Sequence, residues 1–320
     1  SMARMAESGG PSNIIVDFAP LHGRIALTTD EVRWDDLPSE PAPLTPAEQR
    51  FTEELVASIT SRRKMFATPS EVFRKGTVGR ALRLLRDQVL YEDHRDWSIA
   101  ALSSERLRWF ARRLSNSGRY EQPVAGEPYL FFPLHIPVDT AITVRAPQFQ
   151  HQEHTIEYLA ERARPTGMMI YAKPHPAGID YFQASMLRTI RAIPGVRLLE
   201  PTLNSHELIA GSRGVVVVNS TAGFESLFYL KPVVVLGRVF YRGQGVTTDV
   251  ENLGDLRRMV HQAIAHPPNR DAVFRFIHAC YQATSPGEFG NPSEANVERV
   301  AAALVAKSGR IKARLAGESP

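Results

Sequence analysis

Hydrophobic positions along this chain change period about a third of the way in. Before that point the spacing is helical. Phe51, Leu55 and Ile59 recur every fourth residue, Leu82, Leu85 and Val89 carry a second stripe, and Leu107, Phe110 and Leu114 a third, so a helix is predicted at each. A β-branched run from Asn13 to Phe18 predicts one early strand. The Pro-rich stretch from Leu37 to Pro46 reads as a linker into the first helix. Between Ser115 and Pro128 the residues Gly118, Pro123, Gly126 and Pro128 interrupt helix and set a domain border near Gln122.

Beyond the border, short apolar runs alternate with helical stripes. Strands are predicted at 129–132, 168–172, 196–199, 215–218 and 233–236, with helices near 150–163, 181–192, 205–211 and from about Thr221. The runs are Val-rich and continuous rather than alternating, which is the pattern of parallel strands covered on both faces. The expected fold is therefore α/β, a Rossmann-like doubly wound parallel sheet preceded by an α-rich N-terminal region. Leu253, Leu256, Val260 and Ile264 predict a further helix, as do the segments 272–282 and 294–306. The domain reading is 1–122 for the α-rich region with its one strand, 123–308 for the sheet domain with its closing helices, and 309–320 for a tail.

Composition narrows the function classes. The 320 residues are 43% hydrophobic and 22% charged, as expected of a globular chain with a sizeable core. The single cysteine, Cys280, excludes a disulfide framework and a thiolate zinc site, so a cytoplasmic setting is expected. No apolar run reaches the roughly 20 residues needed to span a bilayer, and residues 1–10 lack the apolar centre of a secretory signal. The net charge of +4 favours anionic partners. Arginines scattered through helical stripes, with no recognisable binding motif, argue against nucleic acid. The clusters at 80–86 and 106–113 would suit peripheral contact with the inner face of a membrane.

In an open parallel sheet, ligands bind beyond the carboxyl ends of the strands, so the post-strand loops hold the candidate chemistry. Tyr171-Ala172-Lys173-Pro174-His175-Pro176 places a cation and an imidazole on a loop stiffened by two prolines. Lys173 would neutralise a phosphate while His175 donates a hydrogen bond to it; the alternative is a rigid turn with a solvated histidine. Asn219-Ser220-Thr221-Ala222-Gly223-Phe224-Glu225 runs from a strand into a helix, offering backbone N–H groups and two hydroxyls to a phosphate. Glu225, four residues after Thr221, could accept from ribose hydroxyls; the alternative is an ordinary helix cap. A third loop, 132–139, carries His135 and Asp139, either of which could reach the ligand. His151 and His154 lie three apart on a helix, but no further ligand accompanies them. Gly243-Gln244-Gly245 lacks the third glycine and the setting of a dinucleotide fingerprint.

In order along the chain, Phe132-Pro133-Leu134-His135, Arg145-Ala146-Pro147, Lys173-Pro174-His175-Pro176, Pro194-Gly195-Val196-Arg197-Leu198, Ser220 to Glu225, Lys231 to Gly237 and Phe240-Tyr241 resemble the capsule polysaccharide biosynthesis family of Kdo-transferase-like enzymes. The resemblance implies a GT-B fold, of which this sheet is the C-terminal, donor-binding half. It implies transfer of a sugar from a nucleotide donor, commonly CMP-linked, onto a bacterial surface or capsular glycan or its glycolipid precursor. No cofactor or metal is implied. Nucleotide-contacting roles fall to Lys173, His175, Asn219, Ser220, Thr221, Ala222, Gly223 and Glu225, with His175 and Glu225 as the catalytic pair. The chain departs from the family pattern at Pro174, where an acidic residue is usual, and near Ser220, where a glycine is usual. Its first third lacks the repeated strand–helix units of a full acceptor half, which homo-oligomerisation could complete. Two other readings stay open: transfer of glycerol phosphate or sugar phosphate from a CDP-linked donor, and a non-catalytic nucleotide- or glycan-binding module.

Overall fold

In the computed structural model, residues 13–30, 32–62, 117–179 and 181–315 are described, together with 107 and 111. The helical stripe expected at Leu82 to Val89, most of that at Leu107 to Leu114, and both arginine clusters lie outside these residues. The chain divides into two compact units. One is Ser1–Ile59 with Arg238–Thr247 and Pro268–Pro320, and the other is Thr60–Gly237 with Thr248–Pro267. The border expected near Gln122 thus falls inside the second unit, and the helices after residue 268 join the first unit rather than the sheet domain.

The second unit is built on six strands: β1 (Tyr129–Pro133), β2 (Met169–Lys173), β3 (Val196–Leu198), β4 (Gly214–Val217), β5 (Val233–Val235) and β6 (Thr248–Asp249). All neighbours pair in parallel, in the order β3-β2-β1-β4-β5-β6. Its helices are α1 (Thr140–Thr143), α2 (Gln152–Ala163), α3 (Ala184–Ala192), α4 (Ser205–Gly211), α5 (Thr221–Leu227) and α6 (Leu256–Ala265). Alternate residues of each strand face opposite layers. Leu130, Phe132, Ile170, Ala172, Val216 and Val234 are buried with Ile156 and Leu159 of α2, Leu187 and Ile190 of α3, and Leu256 and Val260 of α6. On the other face α4 and α5 pack together, α5 lies on β4 and β5, and the Tyr129 hydroxyl donates to the Leu208 carbonyl at 2.7 Å. Because both faces are covered, the strands read as unbroken apolar runs. The chain builds outward from β1 to β2 and β3, then restarts at β4 on the other side. That reversal between β1 and β4 is the topological switch point of a doubly wound sheet.

Beside β1, β2 and β3 a set of stacked rings and paired polar groups joins the strands. Tyr129 and Tyr171 stack at 3.9 Å. The Tyr171 hydroxyl donates to Glu127 at 2.6 Å, and Arg197 donates to Glu127 through Nε and Nη2 and to Glu121 through Nη1. A two-pronged guanidinium–carboxylate contact of this kind fixes geometry as well as charge. It anchors the segment entering β1 to β3.

The first unit holds an antiparallel hairpin, Ile15–Phe18 with Arg24–Thr28, and its second strand also pairs with Ser285–Pro286. Only the first of these strands is expected from the sequence. Arg24-Ile25-Ala26-Leu27-Thr28 has no strict alternation, and a two-residue strand leaves no periodic signal. Helix Pro46–Arg62 starts on a reciprocal cap: the Thr45 backbone N–H donates to Glu48 at 2.8 Å while the Glu48 N–H donates to the Thr45 hydroxyl at 3.4 Å. Its Thr52 hydroxyl lies 3.2 Å from His278 Nδ1 of helix Arg270–Ala283. The last helix, Glu294–Leu315, runs past the expected end at residue 306. Lys307, 2% exposed, reaches Asp35 at 3.0 Å and Asp36 at 3.1 Å. Trp34 stacks on Phe240 at 3.9 Å, which seats the 238–247 stretch in the same unit.

Candidate functional site at the switch point

Three loops meet at the carboxyl ends of β1, β2 and β4. Leu134 N–H donates to the Lys173 carbonyl at 2.9 Å, carrying the β1–β2 ladder one step past the strands. Gly178, in the turn after His175, comes so close to Ile136 that a Cβ there would sit 2.5 Å from Ile136 Cγ1. The third loop joins through Asn219: its backbone N–H donates to His135 Nε2 at 3.2 Å and its side-chain amide donates to the Ala141 carbonyl at 2.6 Å. A Cβ at Gly237 would collide with the Asn219 side chain and lie 2.7 Å from the Val218 carbonyl. Only glycine lets the end of β5 pass this close to the β4–α5 loop.

Lys173 is the last residue of β2 and is 3% exposed. Among the described residues its ammonium makes no hydrogen bond, and its electrostatic partner is Glu225. Burial lowers its pKa to about 8, with Glu225 opposing the shift. Glu225, on α5, is 8% exposed. One carboxylate oxygen accepts from the Thr221 hydroxyl at 3.3 Å and the other lies 3.9 Å from His206 Nε2. Burial pushes Glu225 up to about 7, against the pull of Thr221 and Lys173. The carboxyl therefore faces inward, towards Lys173 and His206, in contrast to a fully open crevice-lining group.

His175 precedes the 3-10 turn Pro176–Gly178 and caps it, its Nδ1 accepting from the Ala177 N–H at 3.2 Å. That bond places the proton of the neutral ring on Nε2, leaving Nε2–H as the outward donor. The residue is exposed on one side. Burial on its other sides, together with the Lys173 ammonium, holds its pKa below the ordinary imidazole value. The loop is a rigid turn capped by the His175 ring.

Ser220 caps α5, accepting from the Ala222 N–H at 3.2 Å, and Ala222 and Gly223 are buried in the first turn. This helix runs only from Thr221 to Leu227. With one of its first N–H groups already taken by Ser220, it offers an anion less than a long helix would. Charge at the site comes mainly from Lys173. Asp139 caps α1, accepting from Ala141 N–H at 2.9 Å, and its charge acts on both His135 and His175. His135, on the third loop, is the residue whose ring ties that loop to Asn219. His151 is exposed at the start of α2 beside Glu153, at 3.4 Å, and its ring lies 5.6 Å from that of His154. Among the described residues no group of three or more His, Cys, Asp or Glu side chains could hold a metal ion. No described helix is long and apolar enough to cross a membrane.

Residues 89–276 match the family described as capsule polysaccharide biosynthesis protein, well over half of the chain. The chain belongs to this family. Among curated relatives, protein FixF of Sinorhizobium fredii is 28% identical over 174 residues, covering 53% of this chain and 40% of FixF. The chain thus aligns with less than half the length of that relative. Among solved structures, the KpsC beta Kdo 2,4 transferase of Thermosulfurimonas dismutans superposes with a TM-score of 0.50 at 14% identity, covering 89% of this chain and 77% of that one. The KpsC beta Kdo 2,7 transferase of the same organism gives 0.38 at 17% identity, over 82% and 73%. For this capsule-family chain the likeness establishes the fold, the α/β Rossmann-like arrangement of GT-B glycosyltransferases.

Proposed function

We propose that the chain is a glycosyltransferase that moves a sugar from a nucleotide-linked donor, CMP-linked in this reading, onto a bacterial surface or capsular polysaccharide or its lipid-linked precursor. One observation carries the reading: Lys173, a side chain 3% exposed at the switch point, whose ammonium keeps a little solvent contact and makes no hydrogen bond among the described residues. A buried cation calls for an opposite charge and for hydrogen-bond acceptors. Glu225, raised to about 7, supplies the charge only in part. A phosphate in the crevice would supply both. His175 Nε2–H would donate to the same phosphate, and the Ser220 and Thr221 hydroxyls would bind from the opposite loop. As the bond from sugar to phosphate breaks, negative charge grows on the leaving phosphate, and groups already in place stabilise it without reorganising. No divalent ion is required in this scheme. Family membership and the GT-B fold support it. A lipid-linked acceptor would place the enzyme in the cytoplasm, peripheral to the inner face of the membrane.

Calorimetric titration with CMP, CDP, UDP and GDP tests the proposal. Wild-type protein is expected to bind CMP selectively, with His175→Ala and Lys173→Met each weakening it about tenfold or more, the scale of one charge-assisted contact. Failure of the wild type to bind any of the four would sink the reading. Preference for CDP would shift it to transfer of a glycerol phosphate or sugar phosphate.

A further inference from the structure

A buried polar strut crosses the sheet at the switch point, and the proposed chemistry does not use it directly. His135 is 8% exposed and Gln152, at the start of α2, is fully buried. The Gln152 side-chain amide grips the His135 backbone from both sides. Its Oε1 accepts from the His135 N–H at 2.7 Å and its Nε2 donates to the His135 carbonyl at 3.0 Å. The backbone of His135 is thereby fixed to the helical layer, and its ring reaches over the β1–β4 gap to accept the Asn219 N–H at 3.2 Å. Asn219 returns the contact through its amide to the Ala141 carbonyl, on the same loop system as His135.

We infer that His135 is a positioning residue for the donor site. Held by Gln152, its ring sets where the Asn219–Thr221 turn stands relative to the Lys173–His175 loop, and so the span into which a nucleotide phosphate fits. The inference rests on the proposed nucleotide reading for its functional part only. A ring that accepts through Nε2 must carry its proton on Nδ1 and must stay neutral, because an imidazolium would aim a donor at the Asn219 N–H. Burial meets that requirement, lowering the His135 pKa to about 4, with Asp139 opposing and His175 reinforcing the shift. The arrangement also resists opening for a chemical reason: the Asn219 N–H is partly buried, and leaving it without the His135 acceptor costs free energy.

The geometry distinguishes two conservative replacements. Glutamine can place its Oε1 near the position of Nε2, whereas asparagine, one methylene shorter, can reach only as far as Nδ1. In the full chain, His135→Asn is expected to speed hydrogen exchange at the Asn219 amide and to weaken CMP binding, each by about tenfold, the size of one lost hydrogen bond. His135→Gln is expected to restore both. Unchanged Asn219 exchange in His135→Asn would overturn the strut. So would equal weakening by Asn and Gln at matched thermal stability, since that pattern would mark a packing role. If the variants do not fold, the wild type decides: its imidazole nitrogen shifts at neutral pH must show His135 with an unprotonated Nε2, and a proton there overturns the inference. The exchange and tautomer readouts need no nucleotide. A wild type that binds no CMP would therefore remove the functional reading while the strut itself is judged on those two measurements.

Discussion

Two buried charges, Lys173 and Glu225, give the site a pH signature in stability. Glu225 keeps its proton up to about pH 7 in the folded protein against an ordinary 4.5. Between those values the unfolded chain has released a proton that the folded chain retains, so stability falls as pH rises through the window. Lys173, lowered to about 8 from 10.5, acts in the opposite sense: from pH 8 to 10.5 the unfolded chain holds the extra proton, and stability climbs. The pair contributes least near pH 7 to 8, where both are charged, which is where a bound phosphate would help most. Glu225→Gln is expected to flatten the slope between pH 5 and 7 by a few kcal/mol overall. Urea midpoints at pH 5, 6 and 7 would check it, and an unchanged slope would mean that Glu225 is not the group responsible. The two loops were legible in the chain as candidates, since Lys173 closes and His175 follows a Val-poor but apolar strand, and Ser220 to Glu225 follow a Val run. The contact made by the His135 ring was not. Its partner is a backbone N–H 84 positions away, and sequence spacing carries no trace of such a contact. Gly237 is visible in the chain only as the end of the Lys231 to Gly237 segment, and its close approach to Asn219 is not, for the same reason.

At the level of elements, five strands of the parallel sheet were readable because burial on both faces demands unbroken apolar runs. The two-residue sixth strand, Thr248–Asp249, was not, nor were Arg24–Thr28 and Ser285–Pro286 in the first unit, where Ile15–Phe18 alone was expected. The β4–α5–β5 connection illustrates how local geometry sets the site. Leu230, after the end of α5, adopts a left-handed φ of 51°, while the Lys231 N–H returns to the Ser226 carbonyl at 3.1 Å. A leucine is strained there, and Leu230→Gly is expected to stabilise the protein by about 1 kcal/mol, read from thermal or urea unfolding. No gain would indicate that the side chain's packing outweighs its strain. Gly237→Ala should act in the other direction. The added methyl would push Asn219 from its place, speeding exchange of the Asn219 amide and weakening CMP, whereas retention of both would show that the loop can yield without consequence.

On the scale of the whole chain, the first unit is assembled from three separate stretches, Ser1–Ile59, Arg238–Thr247 and Pro268–Pro320. Local periodicity reports only on neighbours in sequence, which is why the domain reading placed the closing helices with the sheet. Lys307→Met would remove the ammonium shared by Asp35 and Asp36, and is expected to destabilise by less than the roughly 3 kcal/mol typical of a fully buried pair, since Asp36 keeps Arg310 and Asp35 keeps its bonds from Thr28 and Thr29. Removal of residues 268–320 should leave 13–59 rapidly cleaved in limited proteolysis while the 129–237 sheet resists; equal resistance of both would refute the assembly. The threading also imposes a timetable on synthesis. At about 5–20 residues per second, the roughly 256 residues between Thr28 and Ser285 take on the order of 10–50 s to be made. Throughout that interval the Arg24–Thr28 strand waits with one edge open to pairing with other chains, until Ser285–Pro286 is made and closes it.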